Sequence, residues 1–456
     1  MDVAVIGLGK LGSPLATVLA HKGHNVVGVD LNAEFVSKIN QGIAPVVEPQ
    51  LQELLTANRG RLRATTDFND AIPATDISFI IVPTPSRADG MFTNQYVIEA
   101  VKRIGAALRT TDRYHVVNVT STVMPGSTGG EIREALESSS GRKVGETVGL
   151  TYNPEFIALG SVVRDLLYPD MLLIGESDPR AGDVLAAVYQ STVESKAPLM
   201  RMNWVNAELT KISVNTYVTT RISYANMLAE MCDRLPGGDV DVVTTALGKD
   251  SRIGSKYLKG ALGYGGPCFP RDNIAFSALA RQIGVSAAIA EATDHVNNRQ
   301  VERIAELAAA VAEPGARIAV LGMSYKPQTP VIEQSQGVLI AKQLAEAGFM
   351  VTIHDPLAQA NALAVLRDLA YGAPNAEAAV RDADVVLVTN PAKEFSEADP
   401  AAFAPVNGRQ KVVIDVWRSL PRDRFASVVR LVYPGVGDDV IATRQRASAA
   451  RLSAAE

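Results

Sequence analysis

The sequence predicts an α/β protein in which two Rossmann-like, doubly wound domains are joined by a central helical region with a long helix. The first 30 residues read as a short apolar strand, a glycine turn, an amphipathic helix and a second strand. A similar order returns late in the chain, in ARIAVLGMSYKP, QGVLIAKQLAEAGF and MVTIHDP, as a loose internal repeat. Between the two copies, NWVNAELTKISVNTYVTTRISYANMLAEMCDRL runs for more than 30 residues without Pro or Gly, which predicts one long helix.

Composition favours a folded protein with a small-molecule ligand. The 456 residues are 47% hydrophobic and 20% charged, with a formal net charge of −5 and no cluster of Lys and Arg, so nucleic acid and membrane surfaces are not expected partners. The two cysteines form no CxxC pair and the five histidines are scattered, which predicts neither a disulfide framework nor a metal site. Met1 leads directly into VAVIG, and the apolar segment ISFIIVP is too short to span a bilayer, so we expect a cytoplasmic protein.

The first glycine turn has the pattern of a dinucleotide site. Gly7, Gly9 and Gly12 fit GxGxxG, in which the glycines permit a tight turn, close approach to a pyrophosphate, and close packing of helix and strand. Asp30 stands 18 residues beyond Gly12, where a carboxylate accepts ribose hydroxyls and repels a 2′-phosphate. We therefore predict that these four residues and Leu11 bind NAD; the alternative is a Rossmann-like domain that has lost its ligand.

Two later strands end in threonines, and the second glycine turn contains a lysine. Thr84 follows ISFIIVP and Thr122 follows YHVVNVTS, at strand ends of the kind that deliver loops to a cofactor crevice. From the residues alone, ordinary turn chemistry is the commoner reason for a threonine there. The second turn, LGMSYKP, lacks GxGxxG and offers Lys326, which suits a phosphate-bearing ligand other than a dinucleotide.

The long predicted helix places Lys211 and Asn215 on one face, because they are four residues apart. A helical lysine is usually a solvated charge, yet the neighbours Ile212 and Val214 are apolar, so a functional role and a structural one stay equally open. Cys232, beside Met227 and Met231 in MLAEMCDRL, reads as a small core residue.

The other cysteine, Cys268 in GYGGPCFPRD, stands between three glycines and an acid, Asp272. An alcohol oxidised once becomes an aldehyde, and a second hydride leaves only after a nucleophile has made its carbon tetrahedral. A thiolate at Cys268 can form a thiohemiacetal, then a thioester that water cleaves to a carboxylate. Asp272 can orient or deprotonate the water, and Lys211 can lower the pKa of the thiol or stabilise the alkoxide. A free cysteine is more often a small buried residue, so composition alone leaves this open.

These residues resemble the UDP-glucose/GDP-mannose dehydrogenases, nucleotide-sugar 6-dehydrogenases that perform such a four-electron oxidation with two NAD per catalytic cycle. The resemblance covers nearly the whole chain, through VAVIGLGKLG, VPTP, STVMPG, NPEF, AELTKISVN, SRIGSKYLKG and GYGGPCFPRD. It implies six catalytic residues: Cys268, Lys211, Asn215, Asp272, Glu155 and Thr122. It also adds Thr84, Thr122 and Lys326 to the cofactor-binding residues. The residues implied to bind the nucleotide sugar are Glu155, Phe156, Lys211, Asn215, Arg252, Tyr257, Gly265, Tyr325, Lys326 and Arg418.

The same resemblance implies a homodimer in which Arg252 reaches the neighbouring site. The departures from the family pattern concentrate in the last domain, where TPVIEQS replaces TDDxRES and places Glu333 at a usual arginine, and DVWR replaces DGRN, with Arg418 nearby as a substitute. VTNP also lacks the family's TEW tryptophan. Elsewhere Leu159, Pro267 and Arg271 replace a common glutamate, serine and lysine.

We therefore expect UDP-glucose oxidation to UDP-glucuronate, with dTDP-glucose, UDP-N-acetylhexosamine or GDP-mannose as alternative substrates. A single-step NAD-dependent hydroxy-acid dehydrogenase and a non-catalytic NAD-sensing scaffold are the rival classes. The expected segments are an NAD-binding domain (1–198), a central helical domain for dimerisation and catalysis (199–300), a nucleotide-sugar-binding domain (301–441) and a flexible tail (442–456).

Overall fold

The chain opens with the strand, glycine turn and helix that its sequence predicts. β1 (Asp2–Ile6) leads into α1 (Gly12–His21) and then β2 (Asn25–Val29). α1 ends where Gly23 takes a φ of +91° and donates its N–H to the carbonyl oxygen of Ala20, a conformation that favours glycine after a helix.

The computed structural model describes residues 1–405 and 410–453, which form two compact units, Met1–Val214 and Asn215–Glu456. Each unit contains one sheet, so the expected fold class is confirmed. The finer division into four segments stays a prediction. The last three residues of the expected tail lie outside the described residues, and the backbone before them belongs to a helix, Gly437–Ser453.

The first unit is built on an eight-stranded sheet. Its other strands are β3 (Leu62–Thr65), β4 (Ile77–Ile80), β5 (Val116–Val119), β6 (Gly149–Tyr152), β7 (Leu172–Glu176) and β8 (Leu199–Met202). The strand order is β3-β2-β1-β4-β5-β6-β7-β8, and β6 and β7 form the antiparallel pair. The chain reverses its winding direction between β1 and β4, which is where open α/β sheets bind ligands.

Alternating side chains of β1 face two different cores, because helices cover both faces of the sheet. Val3 and Val5 pack into one hydrophobic cluster, and Ala4 and Ile6 pack into the other. The remaining helices of this unit are α2 (Ala33–Gln41), α3 (Leu51–Ala57), α4 (Phe68–Ala71), α5 (Gln95–Leu108), α6 (Arg133–Ser140), α7 (Val162–Leu167) and α8 (Pro179–Thr192).

The long helix is confirmed as α9 (Trp204–Cys232), with 29 residues, and the boundary of the two units falls within it. Asn203 precedes α9, and its side chain accepts the N–H of Asn206, as a residue that begins a helix commonly does. The second unit continues with α10 (Val240–Lys249), α11 (Phe269–Gln282) and α12 (Ala288–Val311).

The second unit also contains a six-stranded parallel sheet. Its strands are β9 (Arg317–Leu321), β10 (Met350–His354), β11 (Ala370–Gly372), β12 (Val385–Val388), β13 (Val412–Asp415) and β14 (Arg430–Val432), in the order β11-β10-β9-β12-β13-β14. Its helices are α13 (Gln336–Glu346), α14 (Gln359–Leu366), α15 (Ala376–Arg381), α16 (Lys393–Glu397), α17 (Arg422–Phe425) and α18 (Gly437–Ser453). This order repeats the first six strands of the first sheet, so the internal repeat is confirmed.

Candidate active site

The first glycine turn contains two glycines that the fold requires and one that it leaves open. Gly7 has a φ of +96°, and a Cβ at Gly12 would overlap the carbonyl oxygen of Gly7. A Cβ at Gly9, in contrast, would meet no atom of the described residues within 4 Å. The protein's own packing therefore gives no reason for glycine at position 9, whereas a ligand that approaches the backbone closely does.

A cavity of about 560 Å³ adjoins this turn. Gly7, Gly9, Leu11, Gly12 and Asp30 all line it, together with apolar side chains from the neighbouring strands and from α5. The carboxylate of Asp30 accepts the N–H of Leu8 at 2.6 Å and that of Asn32 at 2.8 Å, which fixes its position at the end of β2. An apolar cavity with a carboxylate at its edge fits the adenosine half of NAD, so the residues present suit this cofactor.

The two predicted threonines lie together at the ends of β4 and β5. The Thr84 hydroxyl donates to the carbonyl oxygen of Thr122 at 2.8 Å. Ser121 ties the same loops, because its hydroxyl accepts the N–H of Val82 at 2.9 Å and donates to the carbonyl oxygen of Val82 at 2.7 Å. The strand ends are thus joined beside the glycine turn, while the roles of both threonines stay predictions.

Glu155 follows β6, a strand that the sequence analysis did not identify. The Tyr189 hydroxyl donates to Glu155 Oε1 at 3.0 Å and also to the buried Asn153, whose amide donates to the carbonyl oxygen of Leu173 at 2.8 Å. Burial raises the pKa of Glu155 to about 7, against the opposite effects of the Tyr189 hydrogen bond and the Lys211 charge. A carboxyl group that titrates near neutral pH is suited to acid and base catalysis.

Lys211 is buried, so the interpretation of this lysine as a solvated charge is wrong. Its Nζ donates to the carbonyl oxygen of Glu155 at 2.6 Å and lies 4.7 Å from the centroid of the Phe156 ring. Glu155, Phe156 and Lys211 thus form one cluster in the first unit. Asn215 follows one turn later along α9.

Cys268 is exposed at the residue that precedes α11, which contradicts the alternative of a small buried residue. A helix N-terminus stabilises negative charge, which favours a thiolate at this position. The backbone N–H of Asp272 donates to the carbonyl oxygen of Cys268 at 2.8 Å, and the Asp272 side chain is buried. Asn215 Nδ2 donates to Asp272 Oδ2 at 2.6 Å. Three predicted catalytic residues therefore meet at the start of α11.

The glycines before Cys268 rest on the segment that follows β9. The N–H of Gly266 donates to the carbonyl oxygen of Glu333 at 2.8 Å, and a Cβ at Gly265 would overlap the carbonyl oxygen of Gln334. Burial, together with the negative charges of Cys268 and Glu333, raises the pKa of Tyr325 to about 12. Lys326 Nζ lies 5.9 Å from the centroid of the Tyr325 ring.

Two further predicted substrate residues stand at the surface. Tyr257 has a φ of +62° and lies edge-on to Phe269, the residue after Cys268, with ring centroids 6.5 Å apart. Arg252 has 87% of its side chain exposed, and its Nη2 lies 2.6 Å from Asp250 Oδ2. Arg252 thus points away from the protein surface, held by its neighbour.

Arg418, which the resemblance implies to bind the nucleotide sugar, is hydrogen-bonded within the second unit. Its Nε and Nη2 donate to the carboxylate of Asp241 at 2.7 and 2.9 Å. The remaining N–H groups go to the carbonyl oxygens of Val416, Pro434 and Gly260 at 3.0, 2.8 and 2.6 Å. All five donors of the guanidinium are thus used within the protein, so contact with a nucleotide sugar requires some of these hydrogen bonds to break, and the substrate-binding role of Arg418 stays a prediction.

Sequence reasoning missed three residues that the structure places at the site. Tyr189 and Asn153 hold the Glu155 loop, and Glu208 of α9 accepts the N–H groups of Gly126 and Thr128. Asn153 and Glu208 stand inside the quoted motifs NPEF and AELTK, which was an available signal. Tyr189 lies in an ordinary helical pattern and carried none.

Membrane-spanning helices and metal-ligand clusters would indicate other classes of protein. No helix among the described residues combines the length and apolar character needed to cross a bilayer. Within the same residues, no three His, Cys, Asp or Glu side chains are grouped so that they could hold a metal ion. The absence of a metal cofactor remains a prediction.

Comparisons with known proteins identify the family of the chain. Three domains of the UDP-glucose/GDP-mannose dehydrogenase family match the chain: the NAD binding domain over residues 1–193, the central domain over 205–299 and the UDP binding domain over 319–422. A UDP-glucose 6-dehydrogenase of Haloferax volcanii is 37% identical over 426 residues, which is 92% of this chain and 98% of that protein. A GDP-mannose 6-dehydrogenase of Pseudomonas putida is 34% identical over 359 residues, 78% of this chain and 81% of that protein.

A solved structure is also similar. The UDP-glucose dehydrogenase from Pyrobaculum islandicum is 34% identical, with a TM-score of 0.85, over 95% of this chain and 97% of that one. The predicted cofactor, NAD, is confirmed by the match to the family's NAD binding domain. The chain therefore belongs to the UDP-glucose/GDP-mannose dehydrogenase family and is an NAD-dependent nucleotide-sugar 6-dehydrogenase.

Proposed function

We propose that the chain oxidises the C6 hydroxyl of UDP-glucose to the carboxylate of UDP-glucuronate, through a thiohemiacetal and a thioester on Cys268. The observation that carries this proposal is the exposed cysteine at the start of α11, beside the hydrogen-bonded pair of Asn215 and Asp272. A dehydrogenase that stops after one hydride has no need of such a nucleophile. The single-step hydroxy-acid dehydrogenase is therefore the weaker alternative.

In the first step the sugar alcohol loses its hydroxyl proton and a hydride from C6. NAD, when bound, supplies the hydride acceptor for this step and again for the second oxidation. The buried ammonium of Lys211 stabilises the alkoxide, and Glu155, with its pKa near 7, receives the proton. The product of this step is an aldehyde.

In the second step Cys268 Sγ adds to the aldehyde carbon and gives a thiohemiacetal. Asn215, oriented by its hydrogen bond to Asp272, stabilises the oxyanion of this tetrahedral carbon. Loss of the hydroxyl proton and of a second hydride leaves a thioester. Water then attacks the acyl carbon with Asp272, Glu155 and Thr122 as the groups that orient it, which releases the carboxylate and restores the thiol.

UDP-glucose is the favoured substrate because the UDP-glucose 6-dehydrogenase of Haloferax volcanii matches 92% of this chain, compared with 78% for the GDP-mannose 6-dehydrogenase of Pseudomonas putida. In this proposal Tyr257, Gly265, Tyr325 and Lys326 line the sugar and its pyrophosphate, with Lys326 as the cation. GDP-mannose, dTDP-glucose and UDP-N-acetylhexosamine are the alternatives. Glu333, which replaces a usual arginine beside the cysteine loop, is the main reason to test them.

The experiment counts NADH for each sugar oxidised, with all four nucleotide sugars as substrates. We expect about two NADH per UDP-glucose. For Cys268→Ser we expect unchanged NAD binding and loss of acid production by at least about 1,000-fold. One NADH per sugar, or full turnover by Cys268→Ser, would contradict the covalent route, and higher kcat/KM for another sugar would replace the substrate.

We also propose that the chain forms a homodimer through α9. Tyr217, Tyr224, Met227 and Met231 are 64%, 48%, 40% and 54% exposed, and their spacing of seven, three and four residues forms one apolar stripe. A second copy of the same stripe is the occupant that a two-fold dimer requires. The exposed Arg252 is then available to the neighbouring subunit's ligand.

Mixing two inactive variants tests the reach of Arg252. If Arg252 acts on the neighbouring subunit, an equal mixture of re-associated Cys268→Ser and Arg252→Ala chains regains up to about a quarter of wild-type activity, because mixed dimers have one complete site. Without such reach the mixture stays inactive. Sedimentation of Tyr224→Glu, expected to be monomeric, tests the stripe itself.

A further inference from the structure

The beginning of α9 is packed against the loop that follows β5. Trp204 Nε1 donates to the carbonyl oxygen of Leu150 at 3.1 Å, which anchors the helix to β6. A Cβ at Gly129 would lie 2.9 Å from Cε3 of the same indole ring, so only glycine fits there. The first turn of α9 and this loop therefore have a fixed separation.

One turn later, Glu208 is fully buried and both of its carboxylate oxygens bind the same loop. Oε2 accepts the N–H of Gly126 at 2.6 Å and Oε1 accepts the N–H of Thr128 at 2.7 Å. Gly126 has a φ of +94° in a turn closed by the Ser127 N–H and the Met124 carbonyl oxygen at 3.0 Å. Burial raises the pKa of Glu208, whereas the hydrogen bonds from Gly126 and Thr128 lower it. Burying a carboxylate costs free energy, so a glutamate with no role in the protein is rarely found buried.

The loop held by Glu208 begins with Thr122. At that end the Thr84 hydroxyl and the Ser121 side chain fix the backbone, and at the other end Glu208 does so. Lys211 stands three residues after Glu208 in α9 and holds the Glu155 loop through its 2.6 Å hydrogen bond. Residues 204–211 of one helix thus position two loops of the first unit.

We propose that Glu208 is a positioning residue that holds residues 121–128 in the conformation needed for thioester hydrolysis. The proposal rests on the proposed function, in which Thr122 helps to orient the attacking water. In that step the water oxygen bonds to the acyl carbon, the carbon–sulfur bond breaks, its electron pair returns to Cys268, and two protons pass to nearby bases and solvent. A displaced loop slows this step more than either hydride transfer.

Glu208→Gln is the test, because an amide of the same shape accepts one backbone N–H and turns its own NH₂ toward the other. We expect kcat to fall about 10- to 100-fold and KM for the nucleotide sugar to fall with it, so that kcat/KM changes less than about 2-fold, because kcat/KM does not include the hydrolysis step. Acid-quenched enzyme should carry the sugar acyl group on Cys268 in most active sites, and stopped-flow traces should show a burst of about two NADH per site. Glu208→Asp should recover part of the lost kcat.

Asp178→Ala serves as the matched control, since it removes a carboxylate that accepts the N–H of Ala181 at the start of α8. It should lower the melting temperature without accumulation of acyl-enzyme. Gly126→Ala strains the turn without altering the buried carboxylate, and it should accumulate less acyl-enzyme than Glu208→Gln does. This variant replaces Glu208→Gln in the test if Glu208→Gln does not fold.

Normal kcat in both Glu208→Gln and Gly126→Ala would overturn the role of Glu208. A reduced kcat in Glu208→Gln with unmodified Cys268 would also overturn it. That result differs from failure of the covalent route, in which even the wild-type enzyme gives one NADH per sugar and no adduct.

Discussion

The glycine turns of the two sheets have the same backbone geometry, but they differ in the residues that surround them. In the first, the Gly7 N–H donates to the carbonyl oxygen of Val29 at 2.8 Å; in the second, the Gly322 N–H donates to that of His354 at the same distance. Both glycines are left-handed, with φ of +96° and +108°. Gly337 packs on Gly322 as Gly12 packs on Gly7, since a Cβ at either would overlap the earlier carbonyl oxygen.

The acid at the end of the second strand shows the difference. Asp30 accepts the Leu8 and Asn32 N–H groups and borders the cavity of about 560 Å³. Asp355 is buried and accepts five hydrogen bonds, from the backbone and hydroxyl of Ser324 and from the N–H groups of Met323, Leu357 and Ala358. The first acid borders the cavity and is predicted to bind a ribose, whereas the second is enclosed by its own loop.

The segment between the paired glycines explains this change. It is short in the first turn, from Gly7 to Gly12, and ten residues longer in the second, from Gly322 to Gly337. The longer segment contains Tyr325, Glu333 and Gln334, which support the glycines before Cys268. The same pair of glycines therefore leaves an open cavity beside it where the segment is short, and supports the cysteine loop where the segment is long.

Two glycines of the first turn should respond in opposite ways to the same substitution. We expect Gly12→Ala to lower the free energy of unfolding of the first unit by about 3 kcal/mol or more, because the added Cβ overlaps backbone. Gly9→Ala should leave the melting temperature unchanged and weaken NAD binding roughly 100-fold, since its Cβ occupies the ligand's space. Thermal melts and NAD titration measure both. A stable Gly12→Ala, or tight NAD binding by Gly9→Ala, would reverse the assignment.

The two aspartates give the next contrast. Asp355→Asn should lower the free energy of unfolding by about 2 kcal/mol, because an amide oxygen cannot accept all five hydrogen bonds. Asp30→Asn should lower the free energy of unfolding less than Asp355→Asn does, but it should raise the Kd for NAD about 10-fold. It should also reduce the difference in affinity between NAD and NADP. Chemical denaturation and titration with both cofactors test this. Equal losses of stability would show that the two acids have the same role.

A smaller effect is expected in the pH dependence of stability, through Glu155. Because the pKa of Glu155 is raised from 4.5 to about 7, the folded state holds a proton that the unfolded state has released between these values. Stability from this group is therefore present at low pH and declines as pH rises toward 7, by at most about 3 kcal/mol. Glu155→Gln should remove that decline, and the acid limb of the wild-type kcat/KM profile, expected near pH 7, should disappear with most of the activity. Melts from pH 5 to 8 that run parallel for both proteins would contradict the shift.

The fold was largely predictable because its signals are local. The glycine turns, α9 and the strands at the centre of each sheet have periodic apolar patterns and turn residues close together in sequence. β6, β7 and β8 were missed because they lie next to polar segments such as TYNPEF and GESDP, where the periodicity is weak.

The candidate site was predictable as a set of residue types but not as a set of hydrogen bonds. Cys268, Asp272 and Asn215 meet as expected, although nothing in the sequence gives the 2.6 Å contact between the last two. Tyr189 and Arg418 have hydrogen-bond partners 34 and 177 residues away, so only the folded chain shows which groups each of them contacts.

The unbroken course of α9 also limits how this enzyme can be redesigned. Lys211 and Asn215 are about 6 Å apart along the helix axis, and each inserted residue would rotate one relative to the other by about 100°. Mutant libraries that vary side chains on the outer surface of this helix should retain active clones, whereas a single codon added or deleted between positions 211 and 215 should yield none.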